Sequence, residues 1–388
     1  MDKKLFTILL VAFIDLLGFG ILIPILPLLI EKTGGGAFLV GAVIAIFSLF
    51  QFIFSPVLGR LSDKYGRKPI LILSSFINSI SYLMLFSSQS LPIIIFARII
   101  AGIGSANLSV AQAYIADTSA SHERTKRMAL LGAVFGLGFI FGPLVGGVAS
   151  GISAGFPFLI TAVLSIVNTV LIYIILPESN KTLKKHIKIQ LINWKVTREV
   201  IRPKNMFFLM FLFFFVNLSL ALIIGVFPLY SQMKFGWNEA QNGYYFGLIG
   251  IGSFVTQVFL IRLLLKKFSE SQIIRLALIV FAISVTAIGL IPVGVFALFI
   301  GPFISFGISL VNVNVQSLIS LESDVSEQGI VLGVSQSFGS LARIIGPLVG
   351  GAIASFNLSA PYIVSGIFTL FIFIFGQNYL RYIKARRK

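Results

Sequence analysis

Three ionisable side chains stand out well inside long apolar stretches of this 388-residue chain: Asp15, Arg98 and Arg343. Charge in such a place is costly and calls for a partner or a task. A carboxyl at Asp15 can take up a proton on one side of a membrane and release it on the other, or it can meet a cationic substrate. It can equally be a structural acid tied to a neighbouring helix. Arg98 heads a stripe continued by Gly102, Ser105, Ser109 and Gln112, and the spacing i, i+4, i+7, i+11, i+14 puts all five on one helical face. Ser305, Ser309, Asn312 and Gln316 repeat the stripe in the second half. Taken singly, such residues make helix–helix hydrogen bonds. As two matched stripes they read as walls of a polar cavity that holds substrate. Arg343 lies mid-segment, and a buried guanidinium there needs an acid, Asp15 being a candidate, an acidic group on a substrate, or backbone carbonyls.

The elements that must position these groups follow from composition. The chain is 57% hydrophobic and 11% charged, with 39 Phe, against about 25% charged in a soluble domain. Twelve apolar runs are each long enough to cross a bilayer, which takes about 20 residues. They fall at roughly 5–30, 38–58, 70–88, 91–116, 128–152, 156–176, 206–231, 241–265, 272–292, 294–320, 330–355 and 359–380. Backbone groups in lipid have no water to bond, so these spans are expected to be helices. Six spans at 1–176, a polar linker at 177–205 and six spans at 206–388 make an all-α membrane protein of two pseudo-symmetric bundles. In the linker, Leu183, Ile187, Leu191 and Trp194 alternate with Lys184, Lys185, Lys188 and Lys195, which suits either an amphipathic helix on an anionic membrane face or a plain tether.

The two halves are copies. Gly-Pro-Leu-Val-Gly-Gly occurs at Gly142–Gly147 and again at Gly346–Gly351, an offset of 204 residues. At the same offset Pro24 matches Pro228, Ser105 matches Ser309 and Gln112 matches Gln316. Duplicated bundles of spans are a transporter architecture, in which rocking of the halves exposes a mid-membrane cavity to each side in turn. Pro143 and Pro347, with Gly142 and Gly346, are expected to bend spans five and eleven.

A net charge of +17 would suit a nucleic-acid binder, but its placement does not. Among 30 basic residues only Lys32 and Lys234 fall in loops on one side, where Glu31 and Glu239 balance them; apart from those inside the spans, the others crowd the other side and the termini. This bias places both termini in the cytoplasm. With no cysteine and two histidines, both in loops, the chain offers no disulfide and no buried metal site. It has no phosphate-binding Gly-rich loop with Lys-Ser/Thr and no Ser–His pair to make it an enzyme.

After the second span the chain reads Gly59-Arg-Leu-Ser-Asp-Lys-Tyr-Gly-Arg-Lys-Pro69. This resembles the loop signature of the major facilitator superfamily. Gly59, Asp63, Gly66, Arg67 and Lys68 match it, and the two glycines suit a tight turn. Asp15-Leu-Leu-Gly-Phe-Gly with Pro24 and Pro27, Arg98–Gly104, Ala113-Tyr-Ile-Ala-Asp117 and Gly136–Gly147 resemble its twelve-span drug:proton antiporters, the tetracycline-efflux branch above all. The resemblance implies that spans one, four, seven and ten line the cavity, with Asn217 and Ser219 the contribution of span seven. It also implies that Asp63 contacts the start of span eleven, that Arg67 pairs with Asp117, and that together they latch one conformation. In the second half Lys267 replaces Asp63, so the latch is present once.

The function expected is proton-driven export of amphipathic small molecules across a bacterial-type plasma membrane, by a monomer needing no cofactor beyond the proton gradient. Asp15 would carry the proton and Arg98 and Arg343 would tune it. An exporter or flippase of anionic lipid-like molecules is the alternative, and a nutrient symporter a weaker one.

Overall fold

The structure is a computed structural model that describes residues 3–119, 121–180, 194–323 and 328–386. Among the described residues every regular element is a helix, as a chain with no water for its backbone requires. Eleven helical stretches there are long and apolar enough to cross a membrane, and Gly136–Ser150 is a shorter apolar helix. That last stretch is the apolar part of span five, Ser121–Ser150. The other spans of the first half are one (Lys3–Leu22 with Leu26–Lys32), two (Ala37–Tyr65), three (Arg67–Ser87), four (Leu91–Gly104 with Leu108–Asp117) and six (Phe156–Ile175). The second half holds seven (Lys204–Ile224 with Phe227–Phe235), eight (Glu239–Leu265), nine (Glu270–Leu290), ten (Val295–Leu321), eleven (Gln328–Phe356) and twelve (Ala360–Arg386). Of the linker's expected amphipathic stretch, residues 181–193 lie outside the described residues; a helix at Trp194–Ile201 follows them.

Local breaks recur with the sequence repeat. Span one is interrupted by a turn at 23–25, around Pro24, which has no N–H to give. Span seven breaks at Gly225–Val226, just before the matching Pro228. Span four tightens into a 3-10 turn at Ser105–Asn107, a break that its counterpart, span ten, does not share. One expectation is corrected: Gly59 is not at a turn. Span two stays helical past Pro56 and Gly59 through Asp63 to Tyr65, and the chain reverses at Gly66, whose φ is 101°.

The contacts gather the chain into two units. The first comprises Met1–Gly35, Ile46–Leu191 and Asn238–Gly247; the second comprises Gly36–Ala45, Ile192–Trp237 and Leu248–Lys388. The division follows the sequence halves except at two ten-residue pieces, the starts of spans two and eight.

The twin hexapeptides account for both the bundles and the exceptions. In the first unit Gly138, Gly142 and Gly146, one helical turn apart, press on span one. A Cβ on Gly142 would stand 2.6 Å from the Gly20 Cα, and one on Gly138 would stand 2.7 Å from Leu16 Cβ. In the second unit Gly346 and Gly350 press on Ala221 and Leu222 of span seven in the same way. The final glycine of each hexapeptide faces elsewhere. Gly147 meets the start of span eight, where its Cβ would stand 2.9 Å from the Gly243 Cα; Gly351 meets the start of span two, at Ala37 and Gly41. Lipid gives helices no hydrophobic reason to associate, so this backbone-to-backbone packing supplies the attraction. Pro143 and Pro347 sit inside continuous helices beside these contacts.

Gly350→Val is expected to lower stability by roughly 1–3 kcal/mol, as overpacking does, because its Cβ would run into the Leu222 backbone. Gly136→Ala, with open space at its Cβ, is expected to be neutral. Thermal unfolding in detergent followed by size-exclusion fluorescence distinguishes the two.

Candidate functional site

Asp15 is half-buried in span one and clasped by two asparagines. Asn107 Nδ2, from the 3-10 turn of span four, donates to Oδ2 at 2.6 Å, and Asn168 Nδ2, from span six, donates to Oδ1 at 3.1 Å. Asn168 Nδ2 also donates to the Val11 carbonyl at 3.2 Å, while its fully buried Oδ1 has no partner. The carboxylate thus has one neutral donor on each oxygen and ties three helices together. Nine residues after Arg98, Asn107 falls on the opposite helical face, so the Arg98 stripe does not include it. Neither asparagine was legible as a site residue, since each stands in an apolar run with no spacing pattern to single it out.

The span-four stripe faces span two. A Cβ on Gly102 would stand 2.6 Å from the Phe47 carbonyl, Gln51 Nε2 donates to the Ser105 carbonyl at 3.0 Å, and Ser109 Oγ donates to the Ser55 carbonyl at 3.0 Å. Ser105 Oγ donates to Asn78 Oδ1 of span three at 3.3 Å. These three positions therefore make helix–helix contacts, and Gln112 is the exposed member. Arg98 is 2% exposed, with Nε and Nη2 unpartnered and its guanidinium 5.1 Å from the Phe47 ring centroid. Tyr82 lies within electrostatic reach of both Arg98 and Asp15.

The second unit repeats the scheme with amides. Asn217 Nδ2 of span seven donates to Asn312 Oδ1 of span ten at 3.0 Å, and to the Phe213 carbonyl at 2.7 Å. Ser309 and Ser253 share a hydrogen bond of 2.8 Å, and Ser305 Oγ bonds the Pro302 carbonyl at 2.9 Å. Gln316 is partly exposed. Ser219, expected at the cavity, is fully buried, and its carbonyl accepts from Ser365 of span twelve at 2.7 Å. Span seven turns that position toward span twelve, so the residue matching Asp15 has no polar face to offer. Arg343, expected to be buried, is exposed instead. Its side chain runs back over Gly339, which has no Cβ to obstruct it, and Nη2 donates to Ser340 Oγ at 2.9 Å.

The junction of spans two and three is a compact polar knot. Arg67, 10% exposed at its side chain, pairs with Asp63 at 2.6 Å and with Asp117 at 2.9 Å, and also donates to Ser62 Oγ at 2.6 Å. Glu178, the second residue after the Leu176 end of span six, completes the knot. Its carboxylate accepts the backbone N–H groups of Arg67 (2.9 Å) and Lys68 (3.0 Å) at the start of span three, and those of Ser179 and Asn180 (both 2.9 Å). A carboxylate there meets the positive end of the helix dipole and satisfies donors that the helix leaves open. Asn180 Nδ2 adds a bond to the Asp63 carbonyl at 3.1 Å, and Ser179 Oγ one to Asp117 at 3.1 Å. Gly66 is required here, since a Cβ would enter the Glu178 carboxylate and its φ is left-handed. The linker's first residues are thereby fastened to this polar knot, which only the tertiary structure reveals. Glu178→Ala is expected to cost roughly 1–3 kcal/mol, the penalty of leaving partly buried donors unsatisfied. Chemical or thermal unfolding of the purified variant checks it, with Glu178→Gln expected to lose less.

Residues 8–347 match the Major Facilitator Superfamily. The tetracycline resistance protein, class B, of Escherichia coli is 30% identical over 359 residues, covering 91% of this chain and 88% of that protein. Multidrug resistance protein 2 of Bacillus subtilis (strain 168) is 30% identical over 383 residues, covering 97% and 94%. The quinolone resistance protein NorA of Staphylococcus aureus (strain MSSA476) is 26% identical, covering 95% and 94%. Among solved structures, the nucleoside transporter NupG shares the fold at a TM-score of 0.77 and 12% identity, covering 98% of this chain and 99% of that one. The human organic anion transporter MFSD10 does so at 0.69 and 23%, covering 96% and 98%. A family match over most of the length, on an all-helical multi-pass chain carrying the Gly59–Pro69 signature, places this protein in the Major Facilitator Superfamily.

Proposed function

We propose that this protein is a proton-coupled exporter of amphipathic small molecules, working as a monomer by alternating access in a bacterial-type plasma membrane, with both termini in the cytoplasm and no covalent chemistry of its own. The observation that carries it is the clasped carboxyl of Asp15. The names of its relatives, which speak of tetracycline, quinolone and multidrug resistance, give the substrate class its support.

The clasp suits a group that changes charge. As a carboxylate, Asp15 accepts from Asn107 and Asn168. Once protonated, it has a hydrogen to give, and Asn168 holds a buried Oδ1 with nothing bonded to it. Rotation of that amide would offer Oδ1 to the new proton, since an amide presents a donor on one side and an acceptor on the other. The exchange would slacken or tighten the tie between spans one, four and six, and so bias one packing of the first unit over another. Tyr82, within electrostatic reach of both groups, is the route by which Arg98 would act on this charge. A proton crossing 100 mV supplies about 2.3 kcal/mol, enough to shift a two-state equilibrium about fiftyfold.

The Arg67 knot is the matching device on the cytoplasmic side. Asp63 and Asp117 hold one arginine between spans two, three and four, and Glu178 adds the linker. Rocking of the halves would have to reckon with that rigid corner.

Asp15→Asn is expected to abolish pH-gradient-driven efflux from proteoliposomes, by about 100-fold or more as for loss of an acid–base group, while ligand binding persists. Gradient-driven flux undiminished in this variant would remove Asp15 from the coupling role.

A further inference from the structure

Arg343 is a cation of the second unit with no ion pair among the described residues. It stands midway along span eleven and is exposed. Its printed bond, to Ser340 Oγ at 2.9 Å, is to a neutral hydroxyl on its own helix. No acidic side chain of that unit forms an ion pair with it among the described residues. A guanidinium is always charged and presents a planar fork of donors, most of which Ser340 leaves open. At mid-span, exposure to hydrocarbon would be costly. The neighbouring residues on its helical face argue instead for a polar cavity: Gln336 and Ser340, seven and three residues earlier, share that face and are at least partly accessible.

Span seven supplies an aromatic neighbour. A Cβ on Gly339 would stand 3.0 Å from Phe213 Cε1 and 3.6 Å from Arg343 Nη1, so ring and guanidinium meet over the same glycine. The Phe214 ring lies edge-on to Phe338, centroids 6.3 Å apart. One turn beyond Phe213, Asn217 is partly exposed. In the first half the matching position is Phe139, packed on the Phe19 ring with centroids 5.9 Å apart. The repeat therefore fills the place with an apolar contact once and with an open cation once.

We propose that Arg343 is the anion-recognising residue of the transported molecule's binding site, taking a carboxylate in its guanidinium fork beside the Phe213 ring. This deepens, and rests on, the transport reading above: the substrate class becomes amphipathic aromatic acids and zwitterions. A carboxylate fits because it accepts two parallel N–H bonds from a guanidinium, a geometry that an ester or amide of the same shape loses along with its charge.

The test is equilibrium binding to the purified protein in nanodiscs, using an aromatic quinolone with a free carboxylate and its methyl ester. The wild type is expected to bind the acid about tenfold or more tightly than the ester, as a charge-assisted bidentate pair requires. Arg343→Gln is expected to bring the two within about twofold, and Arg343→Lys to fall between, a point charge being a poorer partner than a fork. Equal wild-type affinities, or an undiminished acid preference in Arg343→Gln, would overturn the proposal. If Arg343→Gln does not fold, the wild-type comparison decides alone. Flux of the same acid into proteoliposomes is measured separately, so tight, acid-selective binding without flux would sink the transport reading while leaving the anion site in place.

Discussion

Helices in lipid have no hydrophobic reason to associate, so the structure depends on how closely their backbones can approach. Gly142 and Gly146 bring span five against span one, and Gly346 and Gly350 bring span eleven against span seven. Removing the side chain at these positions lets carbonyls, Cα hydrogens and main-chain dipoles touch over several turns, which is the principal attraction available between apolar helices. The polar groups are secondary to this. Asp15 meets Asn107 and Asn168 because span one is already held flat on span five and its other face is presented to spans four and six.

The twin hexapeptide also explains why two short pieces of chain belong with the opposite half. Gly147 and Gly351 point away from the contacts made by Gly142 and Gly346, and they receive Gly243 and Gly41. One six-residue sequence thus has two faces, one that builds a bundle and one that admits a foreign helix start. Lys32 and Glu239, which counted in the sequence only as balancing charges, meet at 2.8 Å within the first unit for the same reason. A partly exposed pair of this kind contributes about 0–1 kcal/mol, so the glycine contact rather than the ion pair fixes the arrangement.

The fold was largely legible in the sequence, because span length, loop charge and the 204-residue repeat are each set by the bilayer or by duplication and leave marks in residue type. The site was legible in part. Asp15, Arg98 and Arg67 announce themselves as charges in improbable places. Asn107, Asn168 and Glu178 do not, because an amide in an apolar run or an acid in a linker acquires meaning only from what the fold brings near it. The span-four stripe misled in the opposite direction. One helical face was read correctly, yet periodicity cannot say what the face meets, and at Gly102, Ser105 and Ser109 it meets span two and span three. Ser219 failed for a related reason: matching Asp15 in the repeat fixed its register but not its surroundings, which are span twelve.

Duplication gives two bundles the same packing rules, and the differences between them then carry the chemistry. The tie between spans one and four uses a carboxylate, Asp15 to Asn107; the tie between spans seven and ten uses two neutral amides, Asn217 to Asn312. Both fasten the first helix of a half to its fourth, so the mechanical role is shared. Only one of the two can gain or lose a charge. The second half has its own asymmetry in Arg343 where the first has Phe139. On the readings proposed above, a repeat that places its titratable acid in one half and its open cation in the other would separate proton handling from ligand recognition. The two events then have to communicate through the glycine-packed helices that both halves inherit.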